Sequence, residues 1–382
     1  MNLEAQALQQ DSELYQIFGK AFKKREFFKF VFPSMITMLF VSLYSIVDGI
    51  FVSNYVGSNA LASLNLVYPL INVVFAVGIM LSVGGCAITS IRLGEGAKER
   101  ADKTFSLVVV TGFLLSLILM VIALFNLDHI VRFLGADEEL WQDGMYYAGI
   151  LTLFMPFIIL KIILENFVRT DGRADISLYI SVAGGLLNIF LDYLFIAVFQ
   201  WGIAGAAIAT GLGFVFSLLL AIGYFLSKKS VLKFRKPKIK PRVILNVFIN
   251  GSSQMVNELS LGLTTFVFNQ FALRFAGADG VAALTIILYS EFLLISLFLG
   301  FSNGAAPILS YNYGAKLQEN IKRVIRYAFE MVSIGALLIF LIAELGAPLI
   351  CRAFEDPGTH VYALANEGMR FFSIAYLFMG FN

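Results

Sequence analysis

Ser82-Val83-Gly84-Gly85-Cys86-Ala87-Ile88-Thr89-Ser90-Ile91-Arg92-Leu93-Gly94 returns 220 residues later as Ser302-Asn303-Gly304-Ala305-Ala306-Pro307-Ile308-Leu309-Ser310-Tyr311-Asn312-Tyr313-Gly314. The same shift, without a gap, carries Met35 onto Met255, Leu39 onto Leu259, Leu43 onto Leu263, Val47 onto Val267, Phe51 onto Phe271, Gly57 onto Gly277, Ala62 onto Ala282 and Leu64 onto Leu284. The apolar matches follow from composition. The glycines, at fixed spacing and flanking equivalent loops, do not. The chain therefore contains an internal repeat, and its period organises the reading of everything else.

The units that repeat are apolar. Of 382 residues, 59% are hydrophobic and only 14% charged, with mean hydropathy +0.81. A soluble domain carries about a quarter charged residues. Runs of about 20 apolar residues recur, the length a helix needs to cross a bilayer, whereas a membrane β-barrel would show short alternating segments. The fold class expected is an all-α polytopic membrane protein. Ten hydrophobic segments are read at Phe30–Ser53, Ala62–Ile91, Thr104–Leu127, Gly144–Val168, Ala174–Phe199, Gly202–Leu226, Val243–Phe275, Val281–Ser310, Ile321–Leu345 and Glu367–Asn382. Short connections such as Tyr55–Leu61 make successive helices antiparallel neighbours.

Six helices per repeat put both repeats in the same orientation, so two lobes related by a pseudo-twofold along the membrane normal are expected, as in many secondary transporters. The organisation read from this is an N-terminal segment (1–29), a first lobe (30–226), a basic linker (227–242) and a second lobe (243–382). The period would end a complete second lobe near residue 446, so its last two helices are expected to be missing. Of the 28 Lys and Arg residues, all but Arg132, Lys161, Arg274, Arg352 and Arg370 fall in the N-terminal segment, the even-numbered connections or the helix ends beside them. The positive-inside rule then places the N-terminus in the cytoplasm, and a multi-pass protein of the cell membrane is expected. The same rule accounts for Lys228–Arg242, a basic connector attracted to anionic lipid, without any call on nucleic acid. Leu14–Phe28 is read as an interfacial helix.

Several function classes are excluded. There is no H-E-x-x-H, G-x-S-x-G or G-x-x-x-x-G-K-[ST], so neither an enzyme nor an ATP-driven pump is expected. Cys86 lies in an apolar segment and Cys351 in a predicted loop, too separate for a disulfide and without metal-ligand spacing. His129 and His360 are both read in loops.

Chemistry is sought instead among polar groups within the apolar segments, where they are costly and mark function. Asn188 and Asp192 stand four apart, on one helix face. By rise per residue Asp48 lies roughly 8 Å, Asp192 roughly 11 Å and Thr210 roughly 12 Å from the outer ends of their helices. Asn188 lies one turn deeper than Asp192. The four form one polar layer on three helices, with Tyr44 one turn below Asp48. Carboxylate, amide and hydroxyl oxygens suit a hard cation such as Na⁺, and a pair of acids suits a proton. Elsewhere, Gln254, Asn257 and Glu258 form a polar patch in the seventh segment, and Glu291 lies midway along the eighth. Lys161 and Glu165 are spaced to pair. Pro33 lies near the start of the first helix, where proline is tolerated, and is also a candidate for bending it.

The chain resembles the multidrug and toxic compound extrusion (MATE) family, in its DinF/MepA-like branch. The residues that carry the resemblance are Pro33 with Tyr44-Ser45-Ile46-Val47-Asp48-Gly49-Ile50-Phe51-Val52, then Gly57 to Pro69, Asn188-x-x-x-Asp192, and Gly202-Ile203-Ala204-Gly205-Ala206-Ala207-Ile208-Ala209-Thr210. It covers the chain from about Phe30 onward. The resemblance implies a V-shaped pair of six-helix lobes around a central cavity. It implies export of lipophilic, often cationic compounds in exchange for H⁺ or Na⁺, with no cofactor and a monomeric protein. It also implies a first-lobe cation site at Asp48, Asn188, Asp192 and Thr210, a bending proline at Pro33, and a second-lobe acid at Glu258, with Gln254 and Tyr44 in support. The competing readings are a lipid-linked oligosaccharide flippase, which would show several cavity-facing bases, and a non-transporting membrane interaction protein.

Overall fold

A computed structural model describes residues 14–381, apart from 57, 137 and 238. Gly57, which the repeat pairs with Gly277, thus lies outside the described residues. The described chain is helical from end to end: α1 (Lys24–Tyr55), α2 (Ser58–Gly94), α3 (Lys98–Phe125), a short α4 (Leu127–Phe133), α5 (Glu138–Thr170), α6 (Ala174–Asp192), α7 (Gly202–Leu226), α8 (Pro241–Gly314), α9 (Gln318–Arg352) and α10 (His360–Met379). A π-helical turn, Tyr193–Val198, extends α6. The α8 helix is broken at Gly277, whose φ of 61° and ψ of −147° belong to a region only glycine enters readily. Its two arms, 241–276 (α8a) and 278–314 (α8b), run in opposite directions. Eight of the described helices are long and apolar enough to cross a membrane; α8a and α10 pack among them as more polar members.

Several segment ends differ from the sequence reading, for physical reasons. The α1 helix starts at Lys24, ahead of Phe30, because its first turn packs Phe27 fully inside the protein. Pro33 therefore lies two turns into the helix, beyond the turn where proline is tolerated, and it cannot donate the bond that would continue the ladder there. In place of an interfacial helix over Leu14–Phe28 there is a π-turn, Tyr15–Gly19, then an extended step into α1. The α5 helix begins at Glu138, well before Gly144, and α10 at His360, with Thr359 capping it by accepting from the Tyr362 N–H. His360 is thus helical and pairs with Asp279 at 3.0 Å. Cys351 lies in the last turn of α9 and is buried, not in a loop.

Helices α1 to α7 form one bundle around α5, whose Ile159, Ile163, Leu164 and Phe167 are buried. At one end of this bundle Phe105 packs against Phe167, Phe225 and Phe234 at 4.9, 4.7 and 4.8 Å. Phe234 belongs to the linker between α7 and α8, and its neighbours are pinned as well. Asp171 accepts from the N–H groups of Val231 (2.9 Å) and Leu232 (2.7 Å) and from the Tyr224 hydroxyl (2.5 Å). Asp102 accepts from the Lys233 N–H and the Arg235 Nε, and Ser106 from the Arg235 N–H. The basic linker is therefore docked on the first bundle through two buried acids, a contact its composition does not reveal.

The bundle end that carries this linker, termed the basic end, is also where α8 meets the first seven helices most closely. A Cβ added at Gly84 would stand 2.9 Å from the Val247 carbonyl carbon, and one at Gly251 would stand 2.7 Å from that of Met80. At Gly94 it would meet Tyr311 at 3.0 Å, and at Gly314 Ile91 at 2.7 Å. The last two contacts are copies of each other under the 220-residue shift: 94 maps to 314 and 91 to 311. The repeated glycines thus let two α-helix backbones touch across an approximate twofold, as small residues do between membrane helices. The N-terminal arm closes over the same end. Phe18 packs at 5.6 Å from both Phe30 and Tyr311. The Asn312 and Asn320 side chains donate to the carbonyls of Phe18 and Gly19, each at 2.7 Å.

Candidate functional site

The stretch Gly184-Gly185-Leu186-Leu187-Asn188 assembles the site. Gly184 and Gly185 lie on two faces of α6, and neither has room for a side chain. Gly184 abuts Ser217 and the Gly213 carbonyl of α7, while a Cβ at Gly185 would stand 2.6 Å from the Phe40 ring and 3.0 Å from that of Tyr44 on α1. Gly213 returns the favour, facing Asn188. Three helices are drawn together at one level, and their polar residues meet one to two turns beyond it.

Asn188 and Asp192 are buried, at 4% and 0% exposure. Asp48 on α1 and Asp192 on α6 are near enough to interact directly, and Asp192 interacts with Asn188 in the same way. Yet Asp48 Oδ1, both Asp192 carboxylate oxygens, Thr210 Oγ1 and Asn188 Nδ2 are buried without a well-formed hydrogen bond. Buried polar atoms are usually paired, so five orphans on three adjoining helices make this cluster the candidate site. The oxygens fit a proton shared between carboxylates, or a bare monovalent cation. Tyr44, Asn188 and Thr210 line a cavity together with Lys161, Ser181 and Ser217, of about 20 Å³. That holds a water or an ion, not an organic molecule.

Other sequence candidates fall elsewhere. Gln254 and Glu258 lie on α8a, outside this cluster; a 3.4 Å contact joins the two. Lys161 and Glu165 do pair, at 2.7 Å, but as part of a larger set. Arg169 holds the other Glu165 oxygen at 2.5 Å and Ser181 donates to it at 2.7 Å. Spacing flagged the pair. Arg169, one further turn along the same face, is legible by the same i,i+4 rule. Tyr147, buried on α5 within electrostatic range of both acids, carried no such signal.

Comparison with known proteins adds the lineage. The MatE family model matches residues 33–194 and again 255–382. The chain belongs to the MatE family. The two matches fall on the two copies of the internal repeat. Among curated relatives, the multidrug export protein MepA of Staphylococcus saprophyticus is 26% identical over 86% of this chain and 74% of its own length. MepA of Staphylococcus aureus strain MRSA252 is 26% identical over 97% and 83%. A solved outward-facing multidrug resistance MATE transporter superposes with a TM-score of 0.90 at 23% identity, covering 97% of this chain and 82% of its own. A MOP superfamily transporter from Pyrococcus furiosus superposes at 0.89 with 24% identity, covering 97% and 82%. This MatE protein is therefore a multi-pass membrane transporter and not an enzyme.

Proposed function

We propose that this MatE protein is a secondary multidrug exporter, moving lipophilic, often cationic compounds out of the cell in exchange for H⁺ or Na⁺ bound at Asp48, Asn188, Asp192 and Thr210. The observation that carries the reading is the set of buried, unpaired oxygens where α1, α6 and α7 converge. The relatives' designation as multidrug export proteins supports the substrate class. In this reading the basic end faces the cytoplasm, the two lobes are 30–226 and 243–382, and the protein acts as a monomer in the cell membrane.

The lobes are closest at the basic end, so in this reading the cation arrives from the opposite, outer side. A cation entering from there neutralises one acid of the pair and changes which packing of α1 against α6 is favoured. Drug and cation need not touch. It is enough that each prefers a different state of the lobes. Pro33, Tyr44, Gln254 and Glu258 support this cycle: the proline by letting α1 bend, Tyr44 beside the cation site, the other two from the facing lobe. Lys161, the base a pyrophosphate-carrying flippase would require, is locked to Glu165 inside the first lobe, which favours the drug exporter. The test is ethidium efflux from proteoliposomes under separately imposed H⁺ and Na⁺ gradients. Asp48→Asn and Asp192→Asn should each abolish gradient-driven efflux; full activity in both would refute the site.

A further inference from the structure

We propose that Lys161 is a built-in counter-ion that sets the number of cations taken up by the acid pair at one monovalent ion; this rests on the reading of Asp48 and Asp192 as the cation site. Glu165 has more positive charge than it needs. Arg169 and Ser181 already satisfy one of its oxygens, and Lys161 adds a second cation to the same carboxylate. Lys161 is also the most accessible of the three, with 13% of its side chain exposed against 5% for Glu165 and 3% for Arg169. Its ammonium lies 5.7 Å from the Phe214 ring, one turn along α7 from Thr210. It lines the same cavity as Asn188 and Thr210, whose unpaired Nδ2 and Oγ1 are buried there. Along α6 the cavity is lined from Ser181 to Asn188, eleven to four residues before Asp192, so its middle lies roughly 10 Å along the helix from that acid.

Charge counting gives the consequence. Around the cation site and this cavity, the ionisable side chains from α1, α5 and α6 are Asp48, Asp192 and Glu165 against Lys161 and Arg169; the other two buried acids of the lobe, Asp102 and Asp171, lie at the basic end and are held by the linker. Tyr44, Tyr68 and Tyr147 lie within electrostatic range but are phenols, uncharged near neutrality. From the facing lobe Glu258 acts on Tyr68. In this cluster the sum is one net negative charge, and a single bound monovalent cation brings it to zero. Uncompensated charge in this setting is expensive, so the cluster is balanced with one cation and unbalanced with none or two. Without Lys161 the deficit doubles.

The test is cation uptake by the purified protein in nanodiscs. Na⁺ is counted with the radioactive ion, and H⁺ with an indicator dye on acidification from alkaline pH. Each count is taken relative to the Asp48→Asn/Asp192→Asn double variant. The unsubstituted protein should take up one cation. Lys161→Gln should take up two, or bind the first about tenfold more tightly, the effect of one charge at that distance in a protein interior. Lys161→Arg should behave as the unsubstituted protein. Glu165→Gln should move the other way, binding about tenfold more weakly. A merely structural role would weaken binding in both Lys161→Gln and Glu165→Gln, and that result overturns the proposal, as does no change in either. Equal uptake by the unsubstituted protein and the double variant would instead remove the acid-pair site itself, and the counter-ion with it.

Discussion

The glycine contacts at the basic end give the sharpest prediction. At Gly314 an added Cβ would stand 2.7 Å from the Ile91 carbonyl carbon, and at Gly94 it would stand 2.8 Å from the Ala315 nitrogen. Ordinary contact begins near 3.4 Å, so α2 and α8b must part by about 0.7 Å or more, since the carbonyl oxygens lie closer still. Backbone atoms on both sides leave no side chain that can swing away. Overpacking of this kind costs about 1–3 kcal/mol, so Gly94→Ala and Gly314→Ala should each destabilise the closed basic end by that amount. The two clashes are relieved by one displacement. The double variant should therefore cost clearly less than the sum of the singles, a coupling of about 1 kcal/mol or more. Spin labels at Arg100 and Arg326, with Cys86 and Cys351 replaced by alanine, would read the separation by electron–electron resonance, and thermal unfolding the cost. Gly223→Ala is the control: nothing lies within 4 Å of its Cβ, and alanine is the better residue inside a helix by about 0.5–1 kcal/mol. Additive costs in the double variant, or an unchanged distance distribution, would refute the backbone-contact account.

Further outcomes follow from other parts of the fold. Replacing Asn320 with alanine removes the bond to the Gly19 carbonyl, worth about 1 kcal/mol, and should speed hydrogen exchange of the N-terminal arm about fivefold while leaving α5 unaffected. Burial of the Asp171 carboxyl raises its pKa from 3.8, against opposing bonds from Tyr224, Leu232 and Val231. A raised folded-state value means a stability contribution fully present below the ordinary value of 3.8 and lost as pH rises through the raised one. Thermal stability should thus climb as pH falls across that window, and Asp171→Asn should flatten the climb in a melting series. Gly213→Ala would press a methyl on Asn188, with Cβ atoms 3.0 Å apart; Na⁺ or H⁺ binding should weaken without loss of the fold, checked by uptake and melting together.

The helices were legible because hydrocarbon imposes a simple rule: apolar runs of spanning length are helices. The repeat was legible because glycines mark backbone approach, and the structure supplies the approach at Gly94 and Gly314. The gathering of Asp48, Asn188, Asp192 and Thr210 was readable as matched depth, since rise per residue is fixed. Depth says nothing about azimuth, however. That Lys161 on α5 shares a cavity with Asn188, or that Tyr147 faces the acids, depends on helix rotation set by packing. Segment ends were missed where tertiary contacts extend a helix past its apolar run, as at Phe27. The docking of the N-terminal arm and of the linker hangs on Asn312, Asn320, Asp102 and Asp171, ordinary polar residues near helix ends whose partners are far away in sequence.

The docked linker also fixes a length. Residues Val231 to Arg235 are held by Asp171, Asp102 and Ser106, so they travel with α1 to α7 as one piece. Only the chain from Lys236 to Lys240 is left before α8 begins at Pro241. Fully stretched, the six steps from Arg235 to Pro241 reach roughly 21 Å. The linker is thus a short leash, and however the lobes swing apart at the basic end, the start of α8 stays within that radius of Arg235.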